Sequence, residues 1–152
     1  MKIIIYGTQY GAAKKYAEEL SRRTEIPYVS YEEIDDINTY LERLQNYLKL
    51  EESTLLIGLI YIDRFCSNTG ISITPFNVYK LIFTSLFEAA KYNEDKNSAA
   101  KFYSLVGGIS AKEIPTLEWN FLYYLGFELY ISEETYNLYK NRISLIKVKK
   151  MF

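Results

Sequence analysis

The spacing of apolar residues changes along this chain, and each change marks a predicted element. Lys2 to Tyr6 is a short β-branched run that predicts a buried strand, and Gly7-Thr8-Gln9-Tyr10-Gly11 predicts a turn. Ala13, Tyr16, Ala17 and Leu20 then recur at i, i+3, i+4 and i+7, which predicts an amphipathic helix over 12–23. Pro27 to Tyr31 predicts a second short strand, so the chain opens like an α/β unit. After Glu32 the period becomes helical. Ile37, Tyr40, Leu41, Leu44, Tyr47 and Leu48 predict a helix over 37–48. Leu55 to Ile62 is apolar all round, and periodicity alone leaves strand and buried helix both open there.

Further on, Ile71-Ser72-Ile73-Thr74-Pro75 reads as a linker, with Thr74 as an N-cap and Pro75 at the first helical position. Val78, Leu81, Ile82, Ser85, Leu86 and Ala89 share one face of the helix that follows, over 76–92. Asn93 to Asn97 is a polar connection, and a shorter helix over 98–106 is stopped by Gly107-Gly108. Ser110-Ala111-Lys112-Glu113 has the capping-box pattern, although Pro115 offers a later helix start. Leu117, Phe121, Leu122 and Leu125 face inward on that helix, and 133–146 predicts a last one. Leu59, Ile62, Leu86 and Phe121 are expected in one core. The chain holds no internal repeat, low-complexity tract or Gly/Ser linker.

Composition narrows the function classes. At 152 residues, 49% hydrophobic and 24% charged, the chain suits one globular domain with its own core. A formal net charge of −1 supplies no field for nucleic acid or an anionic membrane, so neither is an expected partner. Lys147, Lys149 and Lys150 are expected to be solvated in a frayed tail. Histidine is absent, which removes the usual general base and the commonest metal ligand, so no metal site is expected. The single cysteine, Cys66, has no intrachain partner and follows an apolar run, which predicts a buried, inert thiol in a reducing compartment. Met1-Lys2 and three isoleucines are too short for a signal peptide, and no apolar stretch reaches the roughly 18 residues of a membrane span. An intracellular protein, cytoplasmic or nuclear, is expected. The sixteen tyrosines suit half-buried faces and interfaces, although a Tyr- and Ile-rich codon bias would give the same excess.

Several motifs in order carry a resemblance. Tyr61-Ile62-Asp63-Arg64-Phe65, Glu88-Ala89-Ala90-Lys91-Tyr92 and the run from Thr116 to Leu129 resemble a cyclin box. Tyr40 to Leu44, Pro75 to Leu81 and Lys101 to Ser110 bring it nearest to the phosphate-regulation (P- and U-type) cyclins. The resemblance covers about 36 to 140. It implies a mainly α fold: a single five-helix cyclin box in which Leu55 to Ile62 belongs to a long central helix. It also implies a regulatory subunit, not an enzyme, whose partner is a cyclin-dependent serine/threonine kinase and which needs no cofactor. In that family a lysine on the third helix and a glutamate on the fifth reach the kinase's regulatory helix, and the matching positions are Lys91 and Glu118. Taken alone, both would be ordinary surface residues near helix ends. Asp63 and Arg64 close the central helix, and the resemblance implies that Asp63 is structural, held against a base from the first helix, for which Arg43 is the candidate. The substrate-docking patch of mitotic cyclins matches about Glu33 to Ile37 here, which is acidic, so such docking is not expected.

The first thirty-five residues resemble the opening of a flavodoxin-like domain, with a candidate phosphate loop at Thr8, Gln9, Tyr10 and Gly11. Ala12 and Ala13 lack the hydroxyls common there. Two readings follow: a cyclin box over 36–152 with a short N-terminal β-α-β-like segment over 1–35, either appended or fused; or a complete flavodoxin-like FMN-binding electron-transfer domain, with Leu55 to Ile62 as its third strand. FMN is expected only under the second.

Overall fold

A computed structural model of the chain describes residues 4–6, 28–95 and 98–151, with side chains from 37 to 143 except 96 and 97. Two strands, β1 (Ile4–Tyr6) and β2 (Tyr28–Ser30), precede six helices among these residues: α1 (Tyr31–Leu48), α2 (Glu52–Thr69), α3 (Val78–Asn93), α4 (Ala100–Gly107), α5 (Ile114–Tyr124) and α6 (Glu133–Met151). The architecture is mainly α. β1 and β2 pair in parallel, Ile4 opposite Tyr28 and Tyr6 opposite Ser30. A parallel pair needs a crossover connection. Here that connection, with the expected turn and the helix over 12–23, lies outside the described residues. So do the loop residues Thr8, Gln9, Tyr10 and Gly11.

α1 starts at Tyr31, directly after β2, and not at 37. Glu33 to Ile37, the acidic stretch, therefore belongs to the helix. Leu55 to Ile62 lies wholly inside α2. The strand option therefore fails there, and with it the complete flavodoxin-like domain that used this run as a strand. Leu56, Ile57, Ile60, Tyr61, Ile62 and Phe65 are all buried, because neighbours flank α2 on several sides. Its N-terminus is closed by an acid from beyond α3: Glu94 Oε1 accepts from the Glu51 N–H at 2.8 Å and from the Thr54 hydroxyl at 2.7 Å.

The start predicted at 76 moves, and of the two starts offered for the helix after Gly108 the later, at Pro115, holds to within a residue. Asn77 Oδ1 accepts from the Thr74 N–H at 2.8 Å and the Thr74 carbonyl accepts from the Val78 N–H at 3.0 Å, so 75–77 is a turn that leads into α3, which begins at Val78. At α5 the reciprocal capping box does not form, because the Glu113 carboxylate pairs with Lys80. Residues 111–113 are a turn and the helix begins at Ile114, with Pro115 in its first turn. Gly107-Gly108 ends α4 as expected, with Gly108 at φ 67°, a conformation that a side chain disfavours.

α3 packs along α2, and every residue from Leu81 to Ala90 is buried. α5 packs on α3, α4 on α1, and α6 on α2. Ile62, Leu86 and Phe121 share the core. Leu59 does not. It is only partly buried and lines an apolar groove of about 320 Å3 between α1, α2 and α3, beside Ile37, Leu41 and Leu55. Helical rotation gives the inner positions to Ile60 and Tyr61 instead, which are 1% and 0% exposed. No helix among the described residues is long and apolar enough to cross a membrane.

Candidate functional site

α3 ends on Glu88-Ala89-Ala90-Lys91-Tyr92-Asn93. Because Ala89 and Ala90 are buried with no side-chain bulk, the helix can press its last turns onto the core while Lys91 emerges at the rim. One turn back, the Phe87 ring lies 5.0 Å from the Lys91 ammonium, a cation–π contact that steadies the long side chain. α5 brings Glu118 to the same rim, and the two form an ion pair with side chains 42% and 24% exposed. The two positions singled out on different helices thus meet in space. The hydrogen bond from Lys91 to Glu118 is the main reason that its ammonium titrates above the ordinary lysine range. Burial pushes the Glu118 carboxyl up, but hydrogen bonds from Glu88 and Lys91, together with the Lys91 charge, hold it below the usual carboxylate range.

Beneath the pair lies a second acid that sequence reasoning missed. Glu88 is 3% exposed, and its Oε1 has no hydrogen-bond donor among the described residues. Burial first, then contact with the Glu118 carboxylate, pushes its pKa up to about 8, with Lys91 offsetting only part of this. Glu88 is therefore mostly a neutral acid at pH 7. The available signal was a lone acid inside Leu86-Phe87-Glu88-Ala89-Ala90, a stretch otherwise apolar.

Exposed rings adjoin the pair. Trp119, the residue after Glu118, is 62% exposed and meets Phe127 edge-on with ring centroids 5.7 Å apart. Tyr123 is also exposed on α5 and Tyr92 follows Lys91. Charge ringed by exposed aromatic surface is suited to gripping a protein partner, because such residues bury large area at small entropic cost.

The end of α2 is tied to the segment after α5. Tyr61 donates to the Leu129 carbonyl at 2.6 Å, and Arg64 donates to the Tyr130 carbonyl at 3.0 Å. Asp63 accepts from the Tyr139 hydroxyl of α6 at 2.7 Å. The expected Asp63 partner, Arg43, instead lies 5.1 Å over the Tyr40 ring and borders a shallow groove with Tyr47 and Leu105. A tyrosine seventy-odd positions away carries no sequence signal for this contact. Cys66 is partly buried, and burial, then the Asp63 charge, pushes its thiol up, away from nucleophilic use. Among the described residues no group of three or more His, Cys, Asp or Glu could hold a metal.

Comparison with known proteins agrees with this architecture. A family model described as "Cyclin" matches residues 9–129. The chain is 37% identical over 122 residues to Cyclin-U4-3 of Arabidopsis thaliana, covering 76% of this chain and 56% of the relative. It is 40% identical over 104 residues to Cyclin-U4-1 of the same plant, covering 68% and 52%. It is 35% identical over 103 residues to Cyclin-P3-1 of Oryza sativa subsp. japonica, covering 68% and 44%. The chain spans about half the length of the curated relatives it matches.

Proposed function

Because this chain belongs to the cyclin family, close to its plant P- and U-type members, we propose that it is a regulatory subunit that binds and activates a cyclin-dependent serine/threonine kinase. The observation that carries this is the Lys91–Glu118 pair at the adjoining rims of α3 and α5. Both charges are partly exposed, so each keeps hydrogen-bonding capacity for an incoming helix. Mutual pairing holds them in place before the partner arrives, which lowers the entropy lost on binding. Activation is a shift of population: the subunit must bind the kinase's active arrangement better than its inactive one. In this reading the chain does no chemistry itself and takes no cofactor. The cyclin box begins with α1, not at 36, and runs on to 152, after an N-terminal segment whose paired strands β1 and β2 lead straight into that helix.

The test is a charge swap, Lys91→Glu with Glu118→Lys. The two residues pair with each other, so the swap keeps an internal ion pair and reverses only the polarity offered to the partner. The circular dichroism spectrum should match the parent. Affinity for the cognate kinase should fall by at least about tenfold, equivalent to about 1.4 kcal/mol. A folded swap variant that binds and activates the kinase as well as the parent would remove this face from the interface.

A further inference from the structure

The geometry points to Glu88 as a positioning residue for the Lys91–Glu118 pair: as a neutral acid it donates a hydrogen bond to Glu118 and holds that carboxylate on Lys91, and its ionisation releases the pair and weakens partner binding at this face. The inference rests on the kinase-binding reading of that pair and adds a means of regulating it.

Glu88 is almost wholly buried on α3, one turn before Lys91. Three titratable groups face it among the described residues: Glu118 from α5, Lys91 from its own helix, and the Tyr61 phenol from α2. Tyr61 spends its proton on the Leu129 carbonyl, and Lys91 pairs with Glu118. An ionised Glu88 would therefore be an acceptor with no donor of its own, beside a second carboxylate. A carboxylic acid resolves both problems at once, because its O–H donates to Glu118 and leaves no buried charge. The same contact explains why Glu118 stays ionised although partly buried. Removing the proton undoes both. The new anion repels Glu118, competes for the one ammonium between them, and can be solvated only if the ends of α3 and α5 part enough to admit water. Because burial and Glu118 raise the Glu88 pKa to about 8, the changeover falls just above neutral pH, where a small alkaline shift alters the population.

The experiment has an arm that needs no partner. Isotope-labelled glutamate side-chain NMR follows the carboxyl carbons of Glu88 and Glu118 from about pH 5 to about pH 9.5. Glu88 should titrate with a midpoint of about 8, and the Glu118 signal should step at the same midpoint. In Glu88→Gln, which keeps a donor but cannot ionise, the Glu118 step should vanish. A Glu88 midpoint in the ordinary carboxylate range, or a Glu118 signal flat through the Glu88 titration, overturns the proposal whether or not the variant folds. The second arm titrates the cognate kinase at about pH 6.5 and about pH 9. Parent affinity should fall several-fold, by up to about tenfold, between them, because the loss is limited by the remaining neutral fraction, and Glu88→Gln by less than about twofold. Equal losses in both proteins overturn the regulatory claim. Coupled NMR titrations with no kinase binding at either pH would support the hold of Glu88 on Glu118 and sink the kinase reading instead.

Discussion

Gly107→Ala should destabilise the fold, although local helix physics predicts the opposite. Gly107 is the last residue of α4, and replacing a helical glycine by alanine ordinarily gains up to about 1 kcal/mol. Here a Cβ would fall 2.3 and 2.4 Å from two ring carbons of Phe83 and 3.3 Å from the Tyr40 hydroxyl. Ordinary contact therefore requires the Phe83 ring to retreat by roughly an ångström. It has little room to do so: Phe83 is 1% exposed, stacks on Phe87 at 6.1 Å, and meets Tyr103 edge-on at 6.4 Å. Overpacking of this kind costs about 1–3 kcal/mol. The Tyr40 hydroxyl also donates to the Gly107 carbonyl at 2.9 Å in a buried setting, and straining that bond adds about 1–3 kcal/mol. The net expectation is a loss of roughly 2–4 kcal/mol, a large share of the ~5–15 kcal/mol by which such domains are stable. Urea unfolding followed by circular dichroism reads this as a lower midpoint at an unchanged slope. The cause is isolated by repeating the substitution in a Phe83→Ala background, where the cavity takes up the new methyl and the loss should shrink by at least about 1 kcal/mol. An unchanged or raised midpoint in the parent background, or equal losses in both backgrounds, would refute the steric account.

Three other outcomes follow from the same contacts. Leu44→Ala, at a residue 1% exposed, should cost about 2–5 kcal/mol in urea unfolding, whereas Leu59→Ala in the open groove should cost less than about 2 kcal/mol. Tyr61→Phe removes the donor to the Leu129 carbonyl and should cost about 1–3 kcal/mol by the same measurement, loosening the segment after α5. The folded-state pKa of Glu88 lies above that of an unfolded glutamate, so the stability it confers is fully present below about pH 4.5 and is lost as pH rises to about 8. Unfolding free energy should therefore decline across that window by at most ~1.4 kcal/mol per pH unit from this group, and the Glu88→Gln protein should lack the decline.

Much of the helical layout was legible in the sequence because it depends on period. Ile37 through Leu48 and Val78 through Ala89 place apolar residues on one face, and a face of that kind must be buried wherever the chain goes. Gly107-Gly108 is equally local, since a left-handed cap follows from the missing side chain alone. The positions of Lys91 and Glu118 came from resemblance, because no spacing links residues on two helices. What needed the tertiary structure is whatever depends on a neighbour distant in the chain. Leu55 to Ile62 reads equally as strand or helix until other helices flank it. Leu59 and Ile60 are chemically alike, and only the packing of α1 and α3 leaves one at a groove and puts the other in the core. Asp63 meets Tyr139, and Glu94 closes the start of α2, through contacts across 76 and 43 positions. Glu88 shows the limit most sharply. An acid in sequence is a charge by default, and only burial against a second carboxylate makes it a proton donor, since the cost of an ion is set by its surroundings and not by its identity.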